Sequence, residues 1–163
     1  MKDKCVLVTG SSSGIGYEIT LKLLDLGAKV IGIARNHDRS KIENKNYTTY
    51  KCDVSAHQKL EILLKQILKN HPQINCLISN AGYGDFGPLE NFSSLEIDNF
   101  IATNLTSHMF ITKLLLPHFK RKKIGDFNSP PLIDIKSRII DLKFKFILLQ
   151  ELELGHLSHQ LLR

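Results

Sequence analysis

No run of uncharged apolar residues in this sequence approaches the length a helix needs to cross a bilayer. Met1-Lys2-Asp3-Lys4 runs straight into an apolar strand pattern without the composition of a leader, so the expected location is cytoplasmic. Cysteine is scarce. Cys5, Cys52 and Cys76 sit in or beside strand-like runs, match no metal spacing and form no Cys-x-x-Cys pair. They are expected to be free thiols acting as small hydrophobes. The seven histidines fall in no ligand spacing such as His-x-x-x-His, so no metal is expected. The net charge of +6 is not spread over the chain. Lys113 to Lys145 holds nine Lys or Arg against three Asp, which is the whole excess, and Lys120-Arg121-Lys122-Lys123 closes a helical pattern. Cations there complement the helix dipole, so a solvated helix end is expected rather than a nucleic-acid surface.

What is present is a single-domain length of 163 residues with 42% hydrophobic and 23% charged residues, the balance of a globular protein with a real core. Its organising stretch is Val6-Leu7-Val8-Thr9-Gly10-Ser11-Ser12-Ser13-Gly14-Ile15-Gly16. An apolar β-branched run meets a glycine-rich turn, and a helical pattern follows at once. Such a turn offers backbone N–H groups and the positive end of a helix dipole to an anion. No Gly-Lys-Ser/Thr closes the turn, which excludes the nucleoside-triphosphate loop of that type. Gly10 is suited to the tight turn, Gly14 to close approach of a pyrophosphate, and Gly16 to close packing of helix on strand. An ordinary tight turn is the alternative at this point.

The chain then alternates. Strands are expected at Lys4–Thr9, Lys29–Ala34, Tyr47–Cys52 and Cys76–Ser79. Helices are expected at Ile15–Leu26, with Gly27 as its cap, and at Gln58–Lys69, with Ser55 as its N-cap. Two more follow at Phe92–Leu105 and Thr106–Lys122, where Pro117 should kink or end the second. This predicts an α/β fold, a Rossmann-type doubly wound parallel sheet, whose regular pattern is truncated after about the fourth strand. Beyond Gly125 the punctuation changes. Leu142, Phe144 and Phe146 alternate as in a strand, and Leu149, Leu152, Leu157 and Leu161 suggest a loose helix. Residues 1–125 therefore read as a dinucleotide-binding domain and 126–163 as a divergent tail that could cover the sheet edge with Leu142–Leu148.

Arg35 ends the second strand, where an acidic residue would suit the ribose of NAD and an arginine the 2′-phosphate of NADP. A surface arginine in a polar loop is the alternative. Asp53, at the carboxyl end of the third strand, either contacts an adenine or terminates the strand.

Four signals in order, Thr9-Gly10-x-x-x-Gly14-Ile15-Gly16, Asp53-Val54, Asn80-Ala81-Gly82 and Asn104, resemble the short-chain dehydrogenase/reductase family over about Lys4 to Gly125. The resemblance implies an oxidoreductase that passes hydride between a nicotinamide and a carbonyl or secondary alcohol. It implies that Gly10, Ser12, Ser13, Gly14, Ile15 and Gly16 surround the cofactor phosphates. Arg35 would take the 2′-phosphate, favouring NADP(H) over NAD(H), with Ser13 standing where relatives place a basic residue. Asp53 and Val54 would border the adenine. Asn80, Ala81 and Gly82 would stabilise the sheet beside the ribose and nicotinamide. Asn104 matches the asparagine that supports a proton-relay water through its backbone, a polar residue at a helix kink being the alternative.

The resemblance also implies a serine, a tyrosine and a lysine one helical turn after that tyrosine. A phenol with an ordinary pKa of about 10 needs a nearby cation to work at neutral pH. No tyrosine follows Tyr83. Tyr47-x-x-x-Lys51 has the spacing but falls on a strand, where residues four apart stand about 13 Å apart. Ser137, in Leu132-Ile133-Asp134-Ile135-Lys136-Ser137, is similar to the serine-bearing strand, with a polar turn as the alternative. The expected partners are a dinucleotide and, if the chain is active, a small carbonyl or alcohol. Impaired catalysis, or a purely nucleotide-binding role, follows from the missing pair.

Overall fold

The computed structural model describes residues 1–38, 42–85, 87–121 and 139–141. The chain alternates strand and helix from its start: β1 (Cys5–Thr9), α1 (Gly14–Asp25), β2 (Lys29–Ala34), β3 (Tyr47–Lys51), α2 (His57–Asn70) and β4 (Cys76–Ser79). A single 3-10 turn at Leu89–Asn91 precedes α3 (Ser94–Ile101), a π-helical turn (Ala102–Thr106) and α4 (Ser107–Arg121). The short strand β5 (Ile139–Asp141) completes a sheet of order β3-β2-β1-β4-β5. Every strand pair is parallel. This is the Rossmann-type sheet the sequence predicts, with β5 added beyond the fourth strand. β5 pairs Leu77, Ile78 and Ser79 with Ile139, Ile140 and Asp141, so part of the β4 edge is covered. Ser137, the alternating residues Leu142, Phe144 and Phe146, the helical pattern from Leu149 to Leu161, and the 125/126 boundary lie outside the described residues.

Two cores flank the sheet because successive strand residues point to opposite faces. Val6, Val8, Val30 and Ile78 pack with Leu23 and Leu24 of α1. Leu7, Ile31, Ile33 and Leu77 pack with Leu60, Leu64 and Ile67 of α2 and with Ile111, Leu115 and Phe119 of α4. Buried strands covered on both sides read as near-continuous apolar runs, as β1 and β2 do. Cys5 is buried, Cys52 and Cys76 are half-buried, and none of the three forms a disulfide.

Three local expectations are corrected or narrowed. Ser55 does not cap α2, whose first flanking residue is Ala56. Instead its N–H and hydroxyl both donate to Asp53 Oδ1, at 2.9 and 2.7 Å. The turn at Asp53 ties Ser55 back to that carboxylate, and the helix begins only at His57, so the cap position falls on Ala56. The helix pair near residue 105 is one helical path whose register shifts through the π turn, and its start is fixed by Ser93. The Ser93 hydroxyl accepts from the Glu96 N–H at 3.3 Å, and Glu96 Oε2 accepts from the Ser93 N–H at 2.8 Å. Of the kink or end expected at Pro117, the end is ruled out, since α4 runs on to Arg121. The last turn is held by burial of Phe119 and by a 2.9 Å hydrogen bond between His118 Nε2 and the Ile74 carbonyl.

Candidate functional site

Thr9, Ile33 and Ser79 stand side by side in register, so β1, β2 and β4 end at one level. A parallel sheet places its ligand cleft there, where the chain leaves β1 and β4 in opposite directions. A cleft of about 430 Å³ opens at this level. It is lined by Gly10, Ser12 and Ser13 of the first turn, Arg35 after β2, Asp53 and Val54 after β3, and Ala81 and Gly82 after β4. Eight residues singled out from sequence, drawn from four separate loops, therefore meet at one cavity.

The glycines divide their work. Gly10 has φ of +69°, and a Cβ there would stand 2.9 Å from Ala81 Cα. Gly14 has φ of +53° and open space where a Cβ would sit, leaving room for a ligand against its backbone. Gly16 is buried, and a Cβ would run into the Gly10 carbonyl and the Asn80 amide. Gly14, Gly16 and Ile15 are not among the cleft-lining residues; Ile15 points outward and is 67% exposed.

Asn80 also lies behind the lining. Its N–H donates to Thr9 Oγ1 at 3.0 Å, and its amide donates to the Thr9 and Gly10 carbonyls at 3.3 and 3.4 Å. The Ala81 N–H donates to the same Thr9 hydroxyl at 3.0 Å. Thr9 is fully buried, so its one oxygen joins the ends of β1 and β4. Asn104 sits in the π turn, a helix irregularity common at functional positions. Its amide oxygen accepts from the Tyr83 N–H at 3.0 Å and its amide nitrogen donates to the Tyr83 carbonyl at 2.8 Å.

Sequence reasoning missed Ile33, Ala34, Asn36, Cys52 and Thr103 in the cleft wall. Their shared signal is position: each adjoins a strand end or a residue already singled out. Burial and the neighbouring Asp53 carboxylate push the Cys52 thiol pKa up, which disfavours its thiolate. Tyr47 donates its hydroxyl to Ser11 Oγ at 3.2 Å. A Cβ on Gly32 would collide with both of those side chains, so the bare glycine makes room for the bond. Burial pushes the Tyr47 phenol above its ordinary value, the opposite of what proton donation at neutral pH requires. Among the described residues no His, Cys, Asp or Glu cluster could hold a metal, and no helix is long and apolar enough to cross a membrane.

Known proteins share this fold. The short chain dehydrogenase family profile matches residues 4–127. L-xylulose reductase of Caenorhabditis elegans is 35% identical over 129 residues, 75% of this chain and 50% of that protein. A metagenomic short-chain oxidoreductase solved in complex with NADP is 30% identical, with a TM-score of 0.71 over 77% of this chain and 60% of that one. A short-chain dehydrogenase from Leptospira borgpetersenii with bound NAD+ shares the fold, with a TM-score of 0.70 at 22% identity over 75% of this chain and 48% of that one. The chain spans about half the length of the curated relatives it matches. With the sheet, the glycine turn and the matched profile in agreement, the chain belongs to the short-chain dehydrogenase family of oxidoreductases.

Proposed function

We propose that this chain is the cofactor-holding part of an NADP(H)-dependent oxidoreductase acting between a carbonyl and a secondary alcohol. The observation that carries the reading is the convergence of the Gly10–Ser13 turn, Arg35, Asp53-Val54 and Ala81-Gly82 on one cleft. The bound nicotinamide would supply the hydride. The turn before α1 would hold the pyrophosphate through backbone N–H groups and the helix dipole. Arg35 is exposed at the cleft wall, where its guanidinium would meet a 2′-phosphate with two parallel donors. Asp53 and Val54 would face the adenine. Ala81 and Gly82 would lie along the ribose and nicotinamide, with Gly14, Ile15, Gly16 and Asn80 shaping the wall from behind. Asn104 would act through the segment it holds. Calorimetric titration with NADPH and with NADH tests the cofactor, and tighter NADPH binding is expected. Equal or tighter NADH binding refutes the assignment of Arg35.

A second reading is favoured by two observations: the phenol of the Tyr47-x-x-x-Lys51 pair is engaged with Ser11, and residues 84–163 hold no tyrosine. On that reading the chain binds the dinucleotide without turning it over. A panel of carbonyl substrates with NADPH, monitored by loss of nicotinamide absorbance, separates the two. Saturable binding with no turnover supports the second, and turnover supports the first.

A further inference from the structure

The segment Ser79–Tyr83 is held peptide by peptide. Thr9 Oγ1 accepts from the N–H groups of Asn80 and Ala81. Asn104 takes both the N–H and the carbonyl of Tyr83. The peptide between Ala81 and Gly82 is held by neither. Its carbonyl meets His108 Nε2 at 2.8 Å, and the other ring nitrogen, Nδ1, meets the Ser79 hydroxyl at 2.8 Å. Both side chains are buried, Ser79 at 1% exposure and His108 at 5%. Asn104 and His108 are four residues apart in one helical path, so a single helix face addresses the segment.

We infer that His108 is a positioning residue for the cofactor site, setting the plane of the Ala81–Gly82 peptide; this rests on the cleft taking a dinucleotide. A carbonyl only accepts, so Nε2 carries the proton and donates to Ala81. In the neutral ring Nδ1 is then the acceptor, and the Ser79 hydroxyl donates to it. The peptide is trans, as every described peptide is. Its N–H therefore points away from its carbonyl. With the carbonyl drawn toward α4, the Gly82 N–H is turned away from the helix at a residue that lines the cleft. The ring thus fixes the direction of a backbone donor without touching the ligand.

The test uses the full chain and the variants His108→Gln, His108→Asn and His108→Leu. Glutamine places an amide nitrogen near the Nε2 position and keeps the donor to Ala81, whereas asparagine reaches only the Nδ1 position. Losing the donor to Ala81 should weaken NADPH binding about 10-fold in the Asn and Leu variants, the size of one net hydrogen bond, with Gln within about 3-fold of the parent. The Ala81 carbonyl carbon-13 shift, measured without cofactor, should move in Asn and Leu and stay near the parent in Gln. Ring nitrogen-15 shifts of the parent should show Nε2 protonated and Nδ1 bare. Unchanged binding and carbonyl shift in all three variants, loss in Gln equal to that in Leu, or a ring protonated at Nδ1 overturns the assignment. If the parent binds neither NADPH nor NADH, the cofactor reading falls. The carbonyl- and ring-shift measurements still decide what His108 holds.

Discussion

Asn104 and Tyr83 form a closed two-point pair, with the asparagine amide accepting the tyrosine N–H at 3.0 Å and donating to its carbonyl at 2.8 Å. An amide side chain here does what a β-strand neighbour does elsewhere: it satisfies one residue's whole backbone. The π turn is what brings Asn104 to that residue, because it shifts the helix register between α3 and α4. Asn104→Ala should therefore cost about 1 to 2 kcal/mol, two net hydrogen bonds discounted for their exposure. Asn104→Asp keeps the acceptor but sets a carboxylate against the Tyr83 carbonyl, so it should be no better than alanine. Urea midpoints for the two variants check the order.

Gly14 and Gly16 of the first turn should separate by mechanism. Gly14→Ala meets open space but keeps a positive φ, so it should cost about 1 to 2 kcal/mol from backbone strain. Gly16→Ala adds a methyl against the Gly10 carbonyl and the Asn80 amide, backbone on one side and a bonded side chain on the other. Overpacking of that kind costs about 1 to 3 kcal/mol, and it should also distort the cleft turn. The expected signature is a folded Gly14→Ala chain and a Gly16→Ala chain that loses both stability and dinucleotide binding. Denaturant melts paired with NADPH titration read both.

On the proposed reading, Arg35 carries the cofactor preference in its charge. Arg35→Ala should weaken NADPH binding by about 10- to 100-fold, the strength of a charge-assisted hydrogen bond, and leave NADH nearly unchanged. Arg35→Asp should invert the preference, since a carboxylate repels the 2′-phosphate and suits the ribose hydroxyl. Competitive titration at two salt concentrations is the measurement. The NADPH advantage should shrink at the higher salt because Arg35 is exposed.

How much of this was legible in the sequence depends on how far apart the cooperating residues lie. β1, β2 and β4 were readable because apolar runs buried on both faces need no distant partner to be recognised. The glycine turn was readable because Gly10 and Gly14 adopt positive φ. Thr9, Ser79 and His108 were not, because each gains its meaning from a partner 27 or more residues away, as with His108 and Ala81. Ser55 was misread because a turn at Asp53, two residues upstream, sets where the helix starts and leaves the cap position to Ala56. α4 runs past Pro117 because the contacts that hold its last turn come from the core and from Ile74.

His71 links stability to pH. Burial, then the charge of Lys29, lowers its pKa below the ordinary 6.5, and its Nε2 stands 2.9 Å from the Tyr50 hydroxyl. A neutral His71 accepts that hydroxyl proton. Because the folded pKa lies below the unfolded one, the unfolded chain binds the proton first as pH falls. The contribution is therefore complete above about pH 6.5, shrinks as pH drops from there to the lowered folded value, and is gone below it. His71→Gln should flatten this part of the profile. Urea midpoints at pH 7.5, 6.0 and 5.0, for parent and variant, make the comparison.

Thr9 offers the sharpest test of how the cleft is built. Its hydroxyl is fully buried and accepts from two N–H groups, those of Asn80 and Ala81, at 3.0 Å each. Thr9→Val keeps the shape and removes the oxygen, leaving both donors without that acceptor where water does not reach. Each stranded donor costs about 1 to 3 kcal/mol, so the substitution should be among the most damaging conservative changes in the chain. Thr9→Ser restores the acceptor and loses only a methyl group, which should cost about 1 kcal/mol. Melting temperatures should therefore rank parent, Ser, Val. Faster exchange of the Asn80 and Ala81 amides in Val alone would place the loss at these two bonds. A valine variant as stable as the serine variant would mean that the two strand ends are held together by Asn80 and the surrounding core instead.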